Sequence, residues 1–66
     1  MKVIANGRER SAADGCSVAE FVRELGLDPK YVIIEMNGEP LERAKFDASR
    51  LTEGDRVEIV KAVAGG

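Results

Sequence analysis

Only one run in this chain repeats with the period of an α-helix, and it is short. Val18, Phe21, Val22 and Leu25 fall at i, i+3, i+4 and i+7 and form a single apolar stripe. Both of its ends are marked. Ser17, with Glu20 three residues later, spells the S-x-x-E capping box that opens a helix. Gly26 is placed to take the left-handed conformation that closes one, and Pro29 is expected to block a restart. A lone helix of this length can bury its stripe only against something flat. The 66 residues therefore predict one domain, spanning 1–66, with a single helix laid across one face of a sheet around one small core.

The remaining apolar residues gather in β-prone runs separated by turn signals. Met1 to Asn6 reads as a strand, Asn6-Gly7 as a type I′ hairpin turn, and Arg8 to Ala13 as a polar return strand at or near an edge. Asp14-Gly15 is a turn ahead of the helix. Tyr31 to Asn37 is a strongly β-prone run, and Asn37-Gly38 is a second turn. Glu39 to Glu42 contains Pro40, which suits an edge. Arg43 to Thr52 has no sustained period, with Phe46 and Leu51 as its anchors in the core. After the turn at Glu53-Gly54-Asp55, Arg56 to Val63 is the last strand, with Val57 and Ile59 on one face. The class is α+β, a mixed sheet of four to five strands with one main helix packed on one face. Placing the first and last strands side by side and parallel at the centre gives a β-grasp, or ubiquitin-like, fold.

Composition removes several kinds of function. Ten basic against twelve acidic residues leave a net charge of -2, so no nucleic-acid partner is expected. With no histidine and only Cys16, neither a metal site nor a Ser-His-Asp arrangement can be assembled. No glycine-rich phosphate loop occurs, and the aromatics are only Phe21, Tyr31 and Phe46. The chain is expected to bind no cofactor itself and not to be an enzyme. No apolar run approaches the ~20 residues that span a bilayer, and Met1 to Asn6 does not read as a signal peptide, so a cytoplasmic location without membrane contact is expected.

Three features bear on chemistry. The last strand runs into Ala64-Gly65-Gly66, a flexible tail over 64–66. Without a Cβ, glycine can enter a narrow channel, and an unhindered Gly66 carboxylate suits activation by ATP, which replaces oxide with AMP as the leaving group. A frayed, inert tail is the ordinary alternative. If alternation holds along the last strand, Val60 and Ala62 point away from the core beside that tail, either as a partner-binding surface or as scattered surface hydrophobes. Cys16 precedes the helix N-cap. There it serves either as a thiol activated by the helix dipole or, as the favoured reading, as a small hydrophobe stapled against Phe21.

Over essentially its whole length the chain resembles the ubiquitin-like sulfur carriers, and within them the thiamine-biosynthesis branch. The resemblance is carried by Met1 through Gly7, by Ser17 through Val22 with Leu25-Gly26-Leu27, by Asn37-Gly38-Glu39, and by Leu41-Glu42-Arg43 with Phe46. Glu53 through Ile59 and Ala64-Gly65-Gly66 complete it. Where the family commonly has Pro and Trp, this chain has Glu42 and Phe46, and neither change touches the tail. The resemblance implies a carrier whose Gly66 is adenylated by an E1-like adenylyltransferase using ATP and Mg. A persulfide donor of the cysteine desulfurase type then converts Gly66 to a thiocarboxylate, and the tail delivers its sulfur to thiazole synthase. The small subunit of molybdopterin synthase, a ubiquitin-like protein modifier and an inert interaction module remain open beside it.

Overall fold

In the computed structural model, which describes residues 1–62, the chain forms a five-stranded mixed sheet with one α-helix on one face. The strands are β1 (Lys2–Ala5), β2 (Arg8–Ser11), β3 (Val32–Met36), β4 (Glu39–Leu41) and β5 (Arg56–Lys61), and the helix is α1 (Val18–Glu24). Their order across the sheet is β2-β1-β5-β3-β4. β5 therefore lies at the centre, parallel to β1 and antiparallel to β3. This is the β-grasp arrangement expected from the sequence, with the polar strand β2 and the proline-bearing strand β4 at the two edges.

The helix forms where its local chemistry says it should. Ser17 Oγ accepts from the Glu20 N–H at 3.0 Å and Glu20 Oε1 accepts from the Ser17 N–H at 2.8 Å, closing the capping box. At the other end Gly26 takes φ +79°. The Gly26 N–H reaches the Arg23 carbonyl and the Leu27 N–H the Val22 carbonyl, the paired bonds of a Schellman stop. The remaining amides of the first turn go to the irregular crossing: Val18 donates to Ser49 and Ala19 to Phe46. Orphan donors of the helix thereby fix a segment that has no period of its own.

Beneath α1, Val18, Phe21 and Val22 meet Val3, Ile34, Val57 and Ile59 from the sheet, and Phe46 and Leu51 close the sides as expected. Truncating such a fully buried residue to alanine costs about 2–5 kcal/mol. That is a large share of the roughly 3–10 kcal/mol available to a chain of this size.

Two expectations need correction. Pro29 does not block helical structure. It opens a single 3-10 turn, Pro29–Tyr31, capped by the Asp28 carboxylate accepting from the Lys30 N–H at 2.9 Å. Proline is tolerated there because the first N–H of a helical turn has no partner to lose. The return strand also stops at Ser11, short of Ala13: Ala12 still exchanges hydrogen bonds with Met1, at 2.8 and 2.9 Å, but the Ala13 carbonyl turns to accept from the Cys16 N–H at 3.1 Å and opens the turn ahead of the helix. Val63 and the tail 64–66 lie outside the described residues.

Candidate functional site

The strand leading to the diglycine is held unequally along its length. On the β1 side the register pairs only Ile4 with Arg56 and Ala5 with Val57. Beyond that, the turn takes over. The Asn6 N–H donates to the Val57 carbonyl at 3.0 Å, Asn6 Nδ2 donates to the Ile59 carbonyl at 3.0 Å, and the Ile59 N–H donates to Asn6 Oδ1 at 2.6 Å. At the start of β5, Asn37 of the second hairpin acts in the same way. Its N–H donates to the Arg56 carbonyl at 2.8 Å and its Oδ1 accepts from the Arg56 N–H at 3.0 Å. On the β3 side, pairing runs from Met36–Val57 to Val32–Lys61. It is prolonged by the Ala62 N–H donating to the Tyr31 carbonyl at 2.7 Å.

The sheet face away from α1 carries the exposed large hydrophobes near the end of β5. Val60 is 59% exposed, Ile33 56% and Tyr31 51%. Ile33 and Val60 are register partners, so their side chains lie directly beside one another. The next pair on the same face is Glu35 with Glu58, two carboxylates directly opposed. Neither enters an ion pair among the described residues. The result is an apolar patch at the root of the tail with negative charge behind it.

Val60 thus sits where alternation placed it, whereas Ala62 is only half-buried surface tied down by its backbone. The neighbours that enlarge the patch are Tyr31 and Ile33. Their signal was present in the period-two alternation of Tyr31-Val32-Ile33-Ile34, whose second and fourth members are buried. Ala64, Gly65 and Gly66 lie outside the described residues. Among the described residues no group of three or more His, Cys, Asp or Glu side chains is arranged to hold a metal ion. Among the described residues, too, no helix is long and apolar enough to cross a membrane.

Cys16 occupies a different part of the molecule. It is half-buried against the core and lines a concavity of about 300 Å³ together with Phe21. Burial, followed by the nearby charges of Glu20 and Glu24, pushes its thiol above the ordinary value. That direction opposes activation by the helix end and agrees with the packing role.

The family model for the ThiS family matches residues 2–66. The chain belongs to the ThiS family. A crystal structure of the thiamine biosynthesis protein (ThiS) from Geobacter metallireducens is 36% identical, covers all of both chains and superposes with a TM-score of 0.84. A solution structure of a thiamine biosynthesis protein from the same organism, also 36% identical, gives 0.80 over all of this chain and 88% of that one. Curated relatives include proteins named thiazole synthase, from Paramagnetospirillum magneticum at 33% identity and Magnetococcus marinus at 32%. All 66 residues align in both cases, yet this ThiS-family chain spans only 20% of each relative's length.

Proposed function

We propose that this chain is the sulfur carrier of thiamine thiazole formation, a co-substrate of partner enzymes rather than a catalyst. The observation that carries the reading is the ThiS-family match running through residue 66, on a β-grasp body whose central strand ends at Lys61, with two residues between it and Ala64-Gly65-Gly66 in the sequence.

The chemistry falls on one carboxylate. An E1-like adenylyltransferase, with ATP and Mg, joins the Gly66 carboxylate to AMP and releases pyrophosphate. The terminal sulfur of a persulfide, of the kind a cysteine desulfurase generates, attacks the activated carbonyl and expels AMP. A thiol then reduces the resulting acyl disulfide and leaves the thiocarboxylate. Ala64 and Gly65 give the tail the slender cross-section needed to thread an enclosed site. Val60, with Ile33 and Tyr31 around it and Ala62 at its margin, docks the activating enzyme. An apolar patch beside the inserted end has the composition of an interface centre.

Thiazole synthase is the acceptor in this reading. Support comes from the two relatives of that name, each of which contains a segment like this whole chain as a fifth of its length. A domain joined covalently to an enzyme in one organism is a reasonable docking partner for it in another.

The test is the intact mass of the protein after incubation with an E1-like enzyme of the same organism, ATP and a persulfide source. The expected result is exchange of one oxygen for one sulfur, abolished when Gly66 is removed. ATP consumption with an adenylate but no sulfur gain, together with adducts on lysines of other proteins, would replace the carrier by a protein modifier.

A further inference from the structure

A second concave surface lies on the helix side of the sheet, and the carrier chemistry makes no use of it. Arg8 and Arg10 share a face of β2 opposite Ala5 and Val3 of β1. That face looks toward α1, but the helix covers β1 and β5 and stops short of the edge strand, all four residues of which are exposed. The step from the exposed edge up to the end of α1 leaves a groove of about 560 Å³. Its apolar lining comes from Ala5, Leu25, Leu27 and Ile59. Arg8, Arg10 and Lys61 line its rim, with Glu24 the one opposing carboxylate. None of the three cations enters an ion pair among the described residues. On a chain of net charge -2, this is a local reversal of sign.

We propose that this groove docks an extended acidic segment of a partner protein. Three points select that occupant. The cations do not converge on one point, as donors around a compact phosphate would. Arg8 and Arg10 stand on β2 and Lys61 on β5, two strand spacings or about 10 Å across the sheet, and Lys61 lies four residues, or roughly 13 Å, along the sheet from the level of Arg8. That spread suits an extended segment lying obliquely over the groove with carboxylates at both of its ends. The half-buried floor of Leu25 and Leu27 accepts the alternate, apolar side chains of such a segment. Finally, unpaired cations over low-dielectric walls attract anionic groups and lose nothing internal when they bind them.

Lys61 ends β5, so the groove reaches the root of the tail from the side opposite Tyr31, Ile33 and Val60. The carrier therefore presents two docking surfaces of different chemistry, one on each face of the sheet. The assignment stands on the groove alone and does not depend on the sulfur-carrier reading.

The test is an NMR titration of the isotope-labelled full chain with a blocked peptide of alternating glutamate and valine. Saturable shifts are expected at Ala5, Arg8, Arg10, Leu25, Leu27 and Lys61. Affinity should fall about tenfold or more in the Arg8→Ser/Arg10→Ser double variant and again at high salt. Lys61→Ser provides a second variant away from the edge strand, and the same spectra report whether each variant is folded. Shifts centred on Ile33 and Val60, or shifts that never saturate, would overturn the assignment. So would equal shifts with inorganic pyrophosphate at lower concentration, which would make the groove a site for compact polyanions.

Discussion

Asn6 gives the sharpest quantitative test of how β5 is held. Its φ of +50° lies in the left-handed region, which asparagine tolerates far better than alanine does. Its side chain also makes two hydrogen bonds to the backbone of Ile59, at 2.6 and 3.0 Å. These contributions separate by substitution. Asn6→Gly keeps the backbone conformation and removes both bonds, at about 1 kcal/mol each, for a loss near 2 kcal/mol. Asn6→Ala removes the same bonds and adds the left-handed penalty of about 1 kcal/mol or more, for a loss near 3 kcal/mol. Asn6→Asp retains the acceptor for the Ile59 N–H but sets a carboxylate oxygen against the Ile59 carbonyl, so it should fall at or below glycine. Urea unfolding followed by circular dichroism at constant m-value measures all three. In a domain of this size each kcal/mol moves Tm by roughly 4–8 °C, so the series should be well resolved. Hydrogen exchange at the Ile59 amide should quicken in Asn6→Gly ahead of amides paired only with β3. A glycine variant as stable as the parent would refute the clamp, because the turn conformation alone would then account for Asn6. Equal losses for glycine and alanine would refute the conformational term.

Three further outcomes follow from the same structure. Glu20 is held below its ordinary pKa of 4.5, first by the Ser17 N–H and then by the Ser17 hydroxyl. A depressed carboxylate contributes stability that is present above the unfolded value and is lost as pH falls through the folded one. Glu20→Gln should therefore lower Tm modestly at neutral pH and flatten the acid side of the stability curve, so that parent and variant converge below about pH 4.5, which acid titration of Tm would check. Val60→Asp should leave Tm within a few degrees, since the side chain is exposed, but should weaken binding to the activating enzyme by about tenfold or more in calorimetry. Cys16→Ser should preserve sulfur loading by intact mass and cost about 1 kcal/mol or less, and a folded variant that cannot load would transfer the chemistry to that thiol.

What the sequence made legible is what local chemistry decides. Ser17, Glu20 and Gly26 mark α1 because a capping box and a left-handed stop are short-range devices, complete within a few residues. The polar run after Gly7 and Pro40 mark the edges because an edge strand tolerates what a central one cannot. Asn6 and Asn37 were legible only as turn residues. Their positive φ explains an Asn-Gly pair fully, so nothing local hints that both side chains also reach β5. Their reach depends on register, which is settled by pairing partners some fifty residues apart for Asn6. The same non-locality concealed the hold on the 43–52 crossing, where the carbonyls of Phe46 and Ser49 satisfy the first turn of a helix far back in the chain. It also concealed Ile33 as the companion of Val60. Alternation puts each on the outer face of its own strand, but only the β3–β5 register makes them neighbours.

The asymmetry at the end of β5 joins these facts into a mechanical argument. A carrier must keep its body docked while its end sits inside another protein, so the root of the tail has to transmit position without being buried itself. On the β1 side, support stops at Ile59, where Asn6 makes the last contact. Past that point Val60, Lys61 and Ala62 are held from the β3 side, through Ile33, Val32 and the Tyr31 carbonyl. The residues that hold the root are therefore the same ones, or the neighbours of the ones, that display the apolar patch. A partner covering Tyr31, Ile33 and Val60 would press β3 and β5 together across the ladder that holds Val60, Lys61 and Ala62. Covering the patch removes water from those hydrogen bonds and makes each opening of the strand end more costly. In the proposed carrier, docking and aiming the tail would then be one event, which fits a patch beside the last residues of β5 better than one over the acidic pair Glu35 and Glu58 farther back.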